Sequence, residues 1–587
     1  MSKGRTWYPL TGNVATTRRA PARAAARRVP VDPLTGPKQA LAGQVVTMNG
    51  TFTVHRDAVV YMDQGAIVAV LPKGRPAPTG FSGVQVVRTN GTIFPGLIEL
   101  HNHLSYNALP LWTPVPQKFE HRGQWPGHKD YRPLVSGPMS VIGKHKDRNG
   151  KYALLPALIR YVECKCLLGG VTTSQGVKLY SNAGIQRFYR GVVRNVEQTD
   201  EADLPEAQGR IPDLDAKTAK GFLSRLNKED SCFLLHLSEG VTDPASPYSA
   251  ARKHFLAMEV APDEWALNHN FTGIHAAGLL PNDFKVLARY KSSIVWSPLS
   301  NLLLYGGTAR VEAAKKAGVT IGLGSDWSPT GSKNLLGELK VAWLYNKHHL
   351  NTLFAPREIV AMATSNAASI LKWQDKLGVI KAGARADLLV IDSAAQDPYT
   401  ALLNAAETDI QLVMINGVAR YGTTTLMGSL APGGEAIKVG GKARKVYLQQ
   451  ATADPDVDQV TLAKATTQLR KALKDIAKLA KAAAAPQRVA ARRPLDAPAP
   501  VEWALALDEI CDCGVEFAPR LPYNGPNDHT GPDRAPSVAR AAAPLADVLK
   551  PIVLDPLTVA DDPDFLDRIE LQPNIPAKVR RGLRAMY

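Results

Sequence analysis

Two histidines close an apolar run in the stretch Pro95-Gly96-Leu97-Ile98-Glu99-Leu100-His101-Asn102-His103. On an extended backbone, residues i and i+2 face the same side. His101 and His103 therefore project together from the end of a buried strand, where two neutral imidazoles can share one metal ion. A His-x-His pair alone is equally two unrelated strand-end histidines, and the downstream sequence separates the two readings. Cys232-Phe233-Leu234-Leu235-His236 is a buried-strand pattern ending in histidine, with Glu239 three residues on. Phe271-Thr272-Gly273-Ile274-His275 repeats the design, Ile294-Val295-Trp296-Ser297 ends a third run, and Val319-Thr320-Ile321-Gly322-Leu323-Gly324-Ser325-Asp326 ends a fourth in aspartate. Helical patterns over 283–290 and 309–317 separate these runs. Strand, helix, strand, with polar chemistry repeatedly at strand C-termini, is how a parallel (β/α) barrel reads in sequence, because its active site sits at that face.

These residues resemble the amidohydrolase superfamily, and within it the aminohydrolase branch that includes cytosine, guanine and thioadenosine deaminases and the triazine hydrolases. The resemblance is carried by the 95–103 stretch, His236-Leu237-Ser238-Glu239, His275, Gly324-Ser325-Asp326 and the trailing Gly378-Val379-Ile380-Lys381-Ala382-Gly383-Ala384-Arg385-Ala386-Asp387-Leu388-Leu389-Val390, and it covers residues 40 to 425. It implies an α/β fold: a (β/α)8 TIM-type barrel over 93–379, with a small β-sandwich formed from both flanks, 39–92 and 380–450. A basic N-terminal arm (1–38) and a C-terminal helical and irregular extension (451–587) lie outside it.

The resemblance also implies roles. His101, His103, His236 and Asp326 would bind one divalent ion, and three imidazoles with one carboxylate suit Zn²⁺, with Fe²⁺ as the second choice. Asp326 would also accept a proton from the activated water. Glu239, three residues past His236, fits a proton shuttle, and His275 would hydrogen-bond the attacking oxygen. Trp296, Asn301, Tyr305 and Trp327, next to strand ends, are expected to line a pocket for a flat heterocycle or another planar C–N substrate. The expected reaction is hydrolysis of a C–N bond, by deamination or amide cleavage. Two other readings stay open. One is a binuclear amidohydrolase or dipeptidase in which Lys178 bridges two metals; the other is a non-catalytic barrel whose basic tails bind a partner.

Composition sets the bounds. With 587 residues, 45% hydrophobic and 21% charged, the chain accommodates a barrel and further modules. No run of 18 apolar residues occurs, so no membrane helix is expected. Arg18-Arg19 is not followed by an apolar stretch, which argues against a twin-arginine signal. Five cysteines, odd in number and without zinc-ribbon spacing, read as free thiols of a reducing compartment, the cytoplasm by default; Cys511-Asp512-Cys513 is read the same way. The net charge of +17 concentrates in the arm and in 464–493 without a nucleic-acid motif, so solvated tails are expected. The expected partner is a small molecule, not a membrane or nucleic acid, and a homo-oligomer stays open.

Along the chain, Asn49-Gly50 marks a hairpin turn between strand patterns. The insertion 104–147 carries Tyr106, Trp112, Trp125 and Tyr131 with many prolines and no clear periodicity, and is expected to be a lid or binding loop over the catalytic face. Its histidines, His121, His128 and His145, lack ligand spacing. Residues 152–168 read as a helix and 170–176 as the next strand. Leu462, Leu469, Leu473, Ile476 and Leu479 keep to one face of a basic amphipathic helix expected to dock on the parent domain. Residues 486–500 read as an Ala/Pro/Arg linker.

Overall fold

A computed structural model describes residues 32–112, 115, 118–147, 151–181, 186–210, 216–431, 433–484, 503–505 and 543–587. Most of the expected N-terminal arm, the linker over 486–500 and Cys511-Asp512-Cys513 lie outside the described residues.

The apolar run that leads to His101 is shared between two sheets. Val86–Pro95 belongs to a nine-stranded sheet and Leu97–Ile98 begins a set of parallel strands. Gly96 is the pivot. A Cβ there would lie 2.3 Å from the Thr172 side chain, so only glycine allows the first two parallel strands to approach this closely.

Both flanks meet in the larger sheet, whose order is Glu435–Val439, Lys442–Val446, Val418–Thr423, Ile410–Ile415, Leu388–Ile391, Val86–Pro95, Gln39–Val46, Val54–Asp63 and Ala66–Pro72. The flanks join edge to edge, with Leu388–Ile391 antiparallel to Val86–Pro95. This corrects the two-layer sandwich to one continuous sheet. Leu41, Val60 and Ile93 from one flank and Leu388, Leu412 and Met414 from the other share one core. The expected tight turn at Asn49-Gly50 is wider. Asn49 accepts from the backbone N–H groups of Thr51 and Thr53, and the return strand starts at Val54.

Eight parallel strands position the site, in two arcs rather than one continuous ladder. Leu97–Ile98, Val171–Ser174 and Arg194–Asn195 form the first; Gln208–Arg210, Phe233–Leu237, Phe271–His275, Ser293–Trp296 and Thr320–Leu323 form the second. Backbone hydrogen bonds cross both seams. Ala207 N donates to Val196 O at 2.8 Å, and at the other seam Asp326 N donates to His101 O at 2.9 Å and His103 N to Asp326 O at 2.7 Å. Strand alternation sorts the side chains. Leu234 joins Leu100, Ile274 and Val295 in an inner core, whereas Phe233, Leu235 and Leu237 pack outward. Period-2 alternation then turns His236 inward with Leu234. Helices Ala216–Leu226, Ala250–Leu256, Pro281–Arg289, Pro298–Tyr305 and Val311–Ala317 intervene in the second arc, and Leu155–Leu168 precedes the second strand.

The insertion is more ordered than its sequence implies. It contains the helix Gly137–Lys144, and Tyr106, Trp112, Trp125 and Tyr131 are all buried. Of the basic amphipathic pattern, Leu462–Lys474 packs on Leu155–Leu168, and a second helix, Ile476–Ala484, follows after Asp475. The last segment, 543–587, carries three short helices and sends Asp555 into the interior, 1% exposed. No helix among the described residues is long and apolar enough to cross a membrane.

Candidate metal centre

The first and last parallel strands are stitched through Asn102, which forms a one-residue parallel bridge with Asp326. His101 and His103 lie beyond the end of their two-residue strand, so it is this bridge that extends the backbone around Asn102 and sends both imidazoles the same way. Their rings, with those of His236 and His275, lie 4.7–5.3 Å apart. His101, His103 and Asp326 form one group with donor atoms close enough for a shared ion, and His101, His236 and His275 a second. Strained backbone holds the corner: Ser238, His275 and Asp326 all take positive φ, at 48°, 67° and 66°.

The donor separations test whether a cation fits. Ligands at usual Zn–N and Zn–O distances stand about 3.3 Å apart in a tetrahedron. Here His101 Nε2 lies 3.1 Å and His103 Nε2 3.4 Å from Asp326 Oδ1, and His236 Nε2 lies 3.3 Å from His103 Nε2. Protonation states agree. The Gln175 carbonyl oxygen accepts from Asn102 N at 3.0 Å and lies 3.4 Å from His101 Nδ1, so that nitrogen carries the proton and Nε2 keeps its lone pair. Burial lowers the pKa of His101, and that of His236 and His275 well below the usual range. Burial opposes the Asp326 carboxylate, but positive charge beside it, which the surrounding imidazoles carry when protonated, holds its pKa below the usual range. A buried neutral nitrogen, His101 Nε2, thus faces a carboxylate oxygen without a hydrogen bond. That arrangement fits a divalent cation.

His275 is set by a relay. Trp296 Nε1 donates to Thr308 Oγ1 at 2.7 Å, and Thr308 donates to Asn301 Oδ1 at 3.3 Å. The Asn301 amide nitrogen then lies 3.0 Å from His275 Nδ1, which accepts, leaving the proton on Nε2. His275 Nε2 points toward Glu239, 3.6 Å from Oε2. Burial pushes the Glu239 carboxyl up to about 7. Tyr305 donates to Glu239 Oε1 at 2.7 Å and Arg122 stands 4.0 Å from Oε2.

The pocket wall expected from sequence is therefore redistributed. Trp296 faces the helices, edge-on to Tyr345, and acts on His275 through Thr308. Asn301 and Tyr305 hold His275 and Glu239. Trp327 stays at the site, its ring 5.7 Å from His103, with Tyr106 and the insertion's Trp125 against it. Lys178 lies on an antiparallel strand, Lys178–Ser181, with its amine over the Phe188 ring. Sequence reasoning passed over Gln175, Arg122 and Glu99. The last accepts from Ser325 N and Oγ at 2.9 and 2.6 Å beneath the Asp326 turn, and burial pushes it up to about 7. Glu99 was legible as an acid inside an apolar run; the other two carry no spacing signal.

Comparison with known proteins agrees. The amidohydrolase family model matches residues 246–420. A 5-methylthioadenosine/S-adenosylhomocysteine deaminase of Nitratidesulfovibrio vulgaris is 25% identical over 422 residues, covering 65% of this chain and 91% of that protein. One from Thermococcus sibiricus is 36% identical over 138 residues, 23% of this chain and 32% of its own length. The chain spans between about a third and just over half of the length of several curated relatives it matches. A crystal structure of a triazine hydrolase variant superposes with a TM-score of 0.50 at 20% identity, covering 65% of this chain and 94% of that one.

Proposed function

We propose that the protein hydrolyses a C–N bond at an amidine-like carbon of a small, planar or cyclic substrate, with one divalent ion, Zn²⁺ before Fe²⁺. His101, His103, His236 and Asp326 would hold the ion, and the two parallel arcs are read as parts of one (β/α)8 barrel. The observation that carries this is the convergence of a buried carboxyl, pushed up to about 7, and an imidazole N–H, Glu239 and His275, on one side of the donor cluster. The names of relatives point the same way: deaminases of 5-methylthioadenosine/S-adenosylhomocysteine and an S-triazine hydrolase of Gordonia rubripertincta. Three buried free thiols, Cys164, Cys166 and Cys232, support a reducing cytoplasm.

The chemistry a divalent ion would supply, if held by His101, His103, His236 and Asp326, is a water acidic enough to lose a proton near neutral pH. Asp326, ionised throughout this range, takes that proton. Glu239 gives its own to the ring nitrogen, where charge develops, as oxygen adds to the adjacent carbon, and His275 Nε2–H hydrogen-bonds the adding oxygen and holds it in the tetrahedral intermediate. Asp326 then passes its proton to the leaving amine as the C–N bond breaks. The second water proton returns to Glu239, so both residues end as they began.

The test is ammonia release from a panel of amino-heterocycles and amides by zinc-loaded protein. Glu239→Gln is expected to keep the metal and lose about 10²–10⁴ in kcat. Normal turnover by that variant would remove Glu239 from the mechanism, and wild-type silence across the panel would remove the reaction class.

A further inference from the structure

The insertion is fastened to the loop that carries Glu239. His121 and Gly240 form an isolated antiparallel bridge. Val241 N donates to Glu120 O at 2.8 Å, and Arg122 N donates to Glu239 O at 3.1 Å. Gly240 makes this contact possible, with φ of 146°. A Cβ at this position would stand 2.2 Å from Glu120 O and 2.7 Å from His121 Cα, so a larger residue would hold the insertion off.

A second connection runs through side chains. Trp125 Nε1 donates to the Tyr305 hydroxyl at 2.9 Å, and Tyr305 donates to Glu239 Oε1 at 2.7 Å. A phenol has one proton to give. With the indole N–H on its oxygen, Tyr305 directs that proton to Oε1, which is thereby occupied as an acceptor. The carboxyl proton of Glu239 is left to Oε2, on the side of that oxygen turned away from the His275 Nε2–H at 3.6 Å and the Arg122 guanidinium at 4.0 Å.

We propose that residues 120–125 form a docking element that seats on Gly240 and, when seated, assigns the transferable proton of Glu239 to Oε2, with Trp125 and Tyr305 as positioning residues. This rests on the hydrolase reading above. The step is the one already balanced: the proton leaves Oε2 for the ring nitrogen and is replaced there by the second water proton. Docking adds the choice of oxygen, and it couples closure over the substrate to a competent shuttle. An insertion lifted from Gly240 takes the indole N–H with it and frees the Tyr305 hydroxyl to rotate.

Two measurements on the full-length, zinc-loaded protein decide it. In Gly240→Ala, hydrogen exchange at the Arg122 and Val241 amides is expected to rise about ten-fold or more, with zinc content unchanged. In Tyr305→Phe, and less severely in Trp125→Phe, kcat for ammonia release is expected to fall about ten- to a hundred-fold, with KM and zinc content held. The assays use cytosine, guanine, 5-methylthioadenosine and melamine as probes. Unchanged exchange in Gly240→Ala overturns the seat, and wild-type kcat in Tyr305→Phe overturns the proton assignment. If Gly240→Ala fails to fold, Tyr305→Phe decides alone. A wild-type protein inactive on every probe overturns the hydrolase reading and the proton assignment with it, while the exchange measurement still judges the docking.

Discussion

A neutral imidazole lone pair 3.1 Å from a carboxylate oxygen, as at His101 and Asp326, is unfavourable without a cation between them. Stripping the metal with a chelator should therefore lower the melting temperature, by the equivalent of about 4 kcal/mol when the ion had been present at a thousand times its Kd. His236→Ala should lose metal and turnover together, measured by metal analysis of the purified variant. Thr308→Val tests the relay that sets His275. It keeps the shape but removes the hydroxyl, so kcat should fall several-fold while zinc content holds; an unaltered kcat would mean His275 needs no such guidance. Away from the ligands, Glu338 is fully buried and burial pushes it up to about 8, even though Leu299 N and the Ser332 hydroxyl donate to it. A carboxyl with a raised folded pKa binds its proton more tightly folded than unfolded. Stability is therefore lost as pH rises from the ordinary carboxylate range toward 8. Glu338→Gln should flatten that decline in urea titrations at pH 5 and 8, and an equal slope in both proteins would contradict the assignment. At this scale His101, His236, His275 and Asp326 stood out in the sequence because each ends an apolar run. Gln175 and Arg122 were not, since their partners are brought to them only by the fold.

Among the elements, the strands at 233–237, 271–275, 293–296 and 320–323 and the helices at 281–289 and 311–317 were legible within a few residues, because apolar runs alternate with amphipathic ones, whereas the short helices at 250–256 and 298–305 were not. The split at Gly96 was not. A continuous apolar stretch hides a change of sheet, and only the close approach of Thr172 reveals it. Gly96→Ala is accordingly expected to destabilise the protein by about 1–3 kcal/mol through overpacking, read from thermal or urea unfolding, and Thr172→Ala in the same chain should recover part of that loss. The direction of Trp296 was misjudged for a related reason. It sits at a strand end, which drew attention to it, but alternation with the inward-facing Val295 turns it to the helices. The insertion read as aperiodic because its order comes from buried aromatics packed on the site.

For the whole molecule, the final segment is bound to the catalytic face by charge. Asp555 pairs with Lys165, and with Lys333 at 2.6 Å; all three are at most 3% exposed. Lys165 also donates to Asn107 O and Ser328 Oγ at 2.8 and 2.7 Å, and the Asn107 amide donates to Asn102 at 2.9 Å, between His101 and His103. Asp555→Ala should cost about 3–5 kcal/mol by leaving a buried ammonium without its partner, measured by urea unfolding; a loss under 1 kcal/mol would mean the tail is a removable cover. No sequence pattern announces this contact, since one aspartate in a proline-rich stretch has no periodicity to follow. The nine-stranded sheet has a consequence for biosynthesis. Thr92 hydrogen-bonds Ser393, 301 residues further on, and Ile391 is its partner in the ladder. At roughly 5–20 residues per second on the ribosome, the early strands wait about 15–60 s for the segment that completes their sheet. During that interval the edge of Val86–Pro95 is open to other nascent chains, which makes the newborn polypeptide a natural client for a chaperone that shields strands.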